Sequence, residues 1–170
     1  KIAFHSTRLA AIEHERWQIE HQLETAIARG ELHVDYQPTL RLDTREPVGV
    51  EALLRWHSPE LGPVPPAKFI PIAEHAGQIV DLGFWVFEET CRQVSLWHEA
   101  GARPDYASVN VSMLQLYSAD FVEHIAAVLE RYPDARGHMA IEVTESAMAD
   151  DFEQCQRVLG QIKSLGISIF

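Results

Sequence analysis

Val48-Gly49-Val50-Glu51-Ala52-Leu53-Leu54-Arg55-Trp56 is a run of β-branched and aliphatic residues that breaks into a polar, proline-rich segment, and it predicts a strand. Side chains alternate along a strand, so Glu51, Leu53 and Arg55 share one face and Val48, Val50, Ala52 and Leu54 the other. A run apolar on one side and nearly so on the other predicts a strand covered on both faces, as in a parallel α/β sheet. An unpartnered carboxylate in such a place costs several kcal/mol unless it is paired, protonated or bound to metal. The next charge on the strand, Arg55, lies about 13 Å along at roughly 3.3 Å per residue, so Glu51 must find its partner elsewhere in the fold.

Upstream, Leu32, Val34 and Tyr36 alternate with His33, Asp35 and Gln37, which predicts a strand up to Pro38; Leu40 and Leu42 carry it to a turn at Asp43-Thr44-Arg45-Glu46-Pro47. So short a connection to the Glu51 strand implies a hairpin and an antiparallel pair. Further upstream, Leu9, Ile12, Ile19, Leu23, Ala26 and Ile27 lie on one face of a packing helix, with Ser6 as its cap, Gly30 as its stop and residues 1–5 as a short apolar lead.

Downstream, residues 58–66 hold four prolines and a glycine and read as a loop. Phe69-Ile70-Pro71-Ile72-Ala73-Glu74 opens a short helix. Val80, Phe84, Phe87, Cys91 and Val94, spaced by four and three, predict a long amphipathic helix over residues 79–99 whose aromatic stripe is core. Strands follow at residues 106–112, 139–144 and 167–170, separated by helices marked by Phe121, Ile125, Val128 and Leu129 and by Phe152, Cys155, Val158, Leu159 and Ile162. That rhythm implies right-handed parallel βαβ units. The predicted fold class is α/β: an incomplete TIM-like (β/α) barrel with an antiparallel first strand and about five strands present, since a closed barrel takes about 250 residues.

The 170 residues suffice for one domain with a real core, and 46% hydrophobic with 23% charged residues is a globular composition. A net charge of −11 disfavours DNA and anionic membranes as partners, while leaving room for a small anion held by an arginine and a cation. No segment has the length and character of a membrane span or a signal peptide, which points to the cytoplasm or the cytoplasmic part of a membrane-anchored protein. Cys91 and Cys155 are far apart within helical patterns and read as buried free thiols. Without a CxxC or a His/Cys cluster, the nine histidines do not suggest zinc.

Four strands each carry one polar residue at or near the point where they enter their loops: Gln37, Glu51, Asn110 and Glu142. Active sites of (β/α) barrels sit at those strand ends. Glu, Asn and Glu offer only oxygen ligands, a set suited to Mg²⁺ or Mn²⁺. Taken singly, each is better explained as a hydrogen-bonding residue at a loop; the shared alternation is what points to a site.

Glu51-Ala52-Leu53 with Leu54-Arg55-Trp56, together with Tyr36-Gln37-Pro38, the segment 69–74, Asn110-Val111-Ser112 and Glu142-Val143-Thr144-Glu145-Ser146, resembles the EAL domains, phosphodiesterases of the bacterial second messenger cyclic di-GMP. Five segments match in order over residues 31–170. The resemblance implies a TIM-like barrel with an antiparallel first strand, and a cation, Mg²⁺ or Mn²⁺, held by Glu51, Asn110 and Glu142. It implies that Arg55 contacts a substrate phosphate, with Gln37 and Leu54 also at the dinucleotide, and that Glu145 steadies a catalytic loop. Arg55 in a surface ion pair with Glu60 and Glu145 as a helix-start carboxylate remain the structural alternatives.

Residues 1–30 resemble the end of a GGDEF domain and its linker helix, so the expected organisation is a linker helix at 1–30 and a partial EAL domain at 31–170. The implied partners are cyclic di-GMP, a linked GGDEF or sensor domain upstream, and a second copy through an EAL homodimer. The implied reaction is two-metal hydrolysis to linear pGpG in bacterial second-messenger signalling such as biofilm control. The family's Asp-Asp pair, catalytic lysine and second-metal glutamate follow a strand like 167–170 and are not among these residues, so the segment alone is expected to be inactive. The competing function is a non-hydrolytic EAL receptor or protein-interaction module. Three retained ligand positions favour the enzyme.

Overall fold

The structure, a computed structural model, describes residues 2–143 and 152–170. In chain order its elements are α1 (Ile2–Ala26), β1 (Leu32–Leu40), β2 (Pro47–Ser58), β3 (Gly62–Val64), α2 (Pro66–His75), α3 (Ile79–Glu99), β4 (Tyr106–Asn110), α4 (Met113–Leu116), α5 (Phe121–Arg131), a 3₁₀ turn (Pro133–Ala135), β5 (Met139–Glu142), α6 (Phe152–Ser164) and β6 (Ser168–Ile169). The strands form one mixed sheet in the order β1-β2-β4-β5-β6, with β3 on β2. β2, β4, β5 and β6 pair in parallel, the pattern that βαβ units dictate. The Arg41 N–H donates to the Glu46 carbonyl (2.9 Å) and the His57 N–H to the Glu31 carbonyl (3.0 Å). One index rises as the other falls, so β1 and β2 are antiparallel, as the short turn requires.

Two compact units divide the chain: residues Lys1–His33 with Arg55–Ile79, and Val34–Leu54 with Val80–Phe170. In the first, Ile19, Leu23 and Ala26 are buried along one stripe of α1, at the spacing of a helix face. Leu9 and Ile12, expected on that face, are instead 56% and 54% exposed. The helix starts at Ile2, so the apolar lead and the Ser6 cap of the sequence reading are replaced by continuous helix. Trp56 is 2% exposed, sets its ring edge-on to Phe69 (5.6 Å, 82°) and donates its indole N–H to Glu31 (3.0 Å). The loop expected at residues 58–66 contains β3, paired antiparallel as Trp56↔Val64 and Ser58↔Gly62. The Ser58 hydroxyl accepts from the N–H groups of Glu60 and Leu61, both at 3.2 Å, and closes that turn. Pro63 is tolerated because an edge strand needs no N–H on its open side.

In the second unit the core lies on one face of the sheet. Ala52, Val109, Val111 and Ile141 meet Phe87, Cys91 and Val94 of α3, Phe121, Ile125 and Leu129 of α5, and Cys155 and Ile162 of α6. Val34, Tyr36, Val50 and Leu54 pack onto the same cluster, so the even-numbered positions of β1 and β2 bury towards helices. Both cysteines are free and buried, and burial pushes the Cys91 thiol up. Among the described residues no helix is long and apolar enough to cross a membrane.

Candidate functional site

The other face of the second unit's sheet is set by register. Glu51 stands opposite Ser108. Ser108 in turn stands opposite Ala140, and Asn110 opposite Glu142. Alternation then places Glu51, Ser108, Asn110, Ala140 and Glu142 on one face. Asn110 and Glu142 are the last residues of their strands and lie on neighbouring strands about 4.8 Å apart. Glu51 sits two residues deeper, and the Asn110 side-chain amide reaches back to it, Nδ2 donating to Oε1 at 2.8 Å. The sequence predicted a carboxylate on a strand covered on both faces; Glu51 is instead half-buried, on a face open enough to leave Asn110 exposed, and the neutral amide is its partner. It leaves the amide oxygen of Asn110 and the second carboxylate oxygen of Glu51 outside that bond, and a carboxylate has lone pairs to spare.

Beneath this trio the face is made of small groups. Ser108 is fully buried, its hydroxyl 3.4 Å from the Val50 carbonyl, and Ala140 is also fully buried. Deeper still, the Tyr106 ring lies across Gly49, where an added Cβ would come within 2.7 Å of the ring. Tyr106 also meets the Phe170 ring edge-on (4.9 Å, 74°). The floor is thus aromatic, and the polar atoms gather around the C-terminal ends of β4 and β5, with Glu51 reached from the middle of β2.

Gln37 is exposed on β1, and alternation puts it on the face opposite Tyr36. Tyr36 turns to the helices, edge-on to Trp97 (4.9 Å, 74°). Burial, and next the charge of Glu89, push its hydroxyl up to about 12. The triplet Tyr36-Gln37-Pro38 therefore divides between packing and the polar side. Leu54 packs on the helix-side cluster. Arg55, half-buried on β2, belongs to the first unit and has an interaction of its own. Glu145 lies outside the described residues.

Sequence reasoning missed Gln115, which is 3% exposed. Its side-chain oxygen accepts from the Ser112 N–H at 2.9 Å, and Ser112 is two residues beyond Asn110. A Ser-x-x-Gln spacing, the signature of a capping box, was the available signal. Among the described residues no cluster of three His, Cys, Asp or Glu side chains forms a metal site; the candidate set relies on an asparagine.

Comparison with known proteins identifies the family. The EAL domain family model matches residues 20–170. The chain is 36% identical over 166 residues to the bifunctional diguanylate cyclase/cyclic di-GMP phosphodiesterase MucR of Pseudomonas aeruginosa, covering 98% of this chain and 24% of MucR. It is 31% identical to the oxygen sensor protein DosP of Escherichia coli, covering 98% of this chain and 21% of that protein. A solved structure of the MucR phosphodiesterase in complex with c-di-GMP superposes with a TM-score of 0.84 at 38% identity, over 89% of this chain and 62% of that one. The chain thus spans under a quarter of the length of these two relatives.

Proposed function

This chain belongs to the EAL domain family, and from that premise we propose that it is part of a cyclic di-GMP phosphodiesterase that adds water across one phosphodiester bond and releases linear pGpG. The observation that carries the reading is the Asn110–Glu51 hydrogen bond at 2.8 Å with Glu142 in register beside it. It brings a mid-strand carboxylate of β2 to an amide and a second carboxylate at the C-terminal ends of β4 and β5, and (β/α) barrels build active sites at those ends.

The donor set is all oxygen and fits Mg²⁺ or Mn²⁺. Held there, such a cation would supply Lewis-acid polarisation of a phosphoryl oxygen and a water of lowered pKa. Glu51 and Glu142 supply the negative charge that holds a cation, and Asn110 supplies a neutral oxygen while fixing the Glu51 carboxylate. Gln37 orients the dinucleotide. The Arg55 guanidinium offers a planar fork that matches phosphate geometry. Leu54 contributes through its main chain, because its side chain is committed to the core. Glu145 steadies a catalytic loop. The same reading gives the protein a GGDEF or sensor domain upstream of residues 31–170, a cytoplasmic location, and an EAL homodimer.

The test is Glu51→Ala in the full-length protein with Mn²⁺, following pGpG by chromatography. Turnover is expected to vanish while the thermal melt stays close to that of the wild type. Unchanged turnover would overturn the assignment. A wild-type protein that binds cyclic di-GMP and never cleaves it would establish the receptor function instead.

A further inference from the structure

Asn110 ends β4, and the chain then turns at once into α4, a helix of four residues. So short a helix does not hold itself in place, yet it follows directly on a candidate metal ligand. The turn is pinned residue by residue. Asn110 donates to Glu51, the Val111 N–H to the Glu142 carbonyl at 3.0 Å, and the Ser112 N–H to the Gln115 side chain at 2.9 Å. The third of these bonds is made by a polar side chain that is almost wholly buried, a placement that is costly unless its geometry is satisfied.

Gln115 fits there because of Gly83. An ideal Cβ at position 83 would lie 1.6 Å from the Gln115 Nε2 and 2.5 Å from its carboxamide carbon. Gly83 is in α3, away from either end, where glycine costs about 1 kcal/mol relative to alanine. Its backbone needs no left-handed conformation; what it provides is room for the carboxamide.

We infer that Gln115 is a positioning residue for Asn110: seated over Gly83, it fixes the Ser112 amide and so aims the asparagine at the Glu51–Glu142 site. The inference rests on the proposed metal-dependent diesterase reading. Residues that orient metal ligands from behind cost about 10- to 100-fold in metal affinity when removed.

The experiment titrates Mn²⁺ alone into the full-length protein by calorimetry and follows amide exchange at Ser112. Gln115→Ala is expected to weaken the Mn²⁺ site that Asn110→Ala abolishes by about 10- to 100-fold and to speed Ser112 exchange. Gln115→Glu is expected to restore both, because glutamate is the other side chain that closes a capping box. Gly83→Ala should reproduce the affinity loss with Gln115 present. The double variant Gly83→Ala/Gln115→Ala removes the collision, so its melting temperature should recover above that of Gly83→Ala while its Mn²⁺ affinity stays low. A role in packing alone would let affinity recover with the melt. Wild-type Mn²⁺ affinity in folded Gln115→Ala overturns the inference. Absence of the Asn110-dependent Mn²⁺ site in the wild type overturns the diesterase reading itself.

Discussion

The two faces of the second unit's sheet are built on opposite terms. Towards the helices, Ala52, Val109, Ile141 and their neighbours form one continuous buried cluster with α3, α5 and α6. Each position there is supported by many others, and a conservative exchange leaves the pattern intact. On the other face, Glu51 and Asn110 partner each other, the Ser108 hydroxyl meets the Val50 carbonyl, and Glu142 stands in register beside Asn110. The first face contributes most of the stability by area removed from water. The second face sets two half-buried carboxylates, Glu51 and Glu142, around an exposed asparagine, an arrangement that packing does not call for.

A pair of variants can break this contrast. Phe121, 1% exposed, sits in the helix-side cluster. Phe121→Ala should cost about 4 kcal/mol in urea unfolding, the ordinary cost of emptying an aromatic site. Glu51→Ala should change stability by no more than about 1 kcal/mol while turnover is lost. Equal destabilisation by the two would show that the polar face is structural.

A smaller effect separates the two ends of β2. Its even-numbered face is purely aliphatic through Val50, Ala52 and Leu54, but Trp56 brings an N–H that must be met. Glu31, 8% exposed, meets it at 3.0 Å. Trp56→Phe removes the donor and leaves a buried carboxylate with one partner fewer, an expected loss of about 2 kcal/mol. Adding Glu31→Leu should return part of that loss, because removing both partners is cheaper than orphaning one. A single variant as stable as the wild type would mean that the bond contributes nothing net.

The helix-facing side was the legible one. Period-two alternation at Val109 and Ile141 and the stripe through Phe87, Cys91 and Val94 fix strands and helices because burial of a whole face leaves a repeated trace in composition. β3 left no such trace: three residues with a proline read as loop, and only pairing with Trp56 and Ser58 makes them a strand. The exposed Leu9 and Ile12 were overread because apolar spacing says which residues share a face, not whether anything covers it. Of the polar face, the sequence supplied Glu51, Asn110 and Glu142 as chemistry on strands, and register brought them together. It could not supply the Asn110–Glu51 bond or the seat of Gln115 over Gly83, which depend on distances between strands and helices remote in sequence.

The finest test uses two adjacent residues that face opposite ways. Gln37 is exposed, whereas Tyr36 lies against α3 with its hydroxyl pushed up to about 12, chiefly by burial and then by the charge of Glu89, with Thr90 and Arg92 pulling partly back. A phenol whose folded value lies above its ordinary 10.0 keeps its full contribution to stability below pH 10. That contribution is lost as pH rises from about 10 towards 12, because the unfolded chain gives up its proton first. Tyr36→Phe cannot ionise. Near neutrality it should melt within a few degrees of the wild type; above pH 10 the variant should become the more stable of the two, by a margin that widens towards pH 12. Gln37→Ala should show no such divergence. Parallel melting curves for Tyr36→Phe and wild type across that window would mean that the tyrosine is not held against the helices, and that the alternation dividing β1 between its two faces has been assigned wrongly.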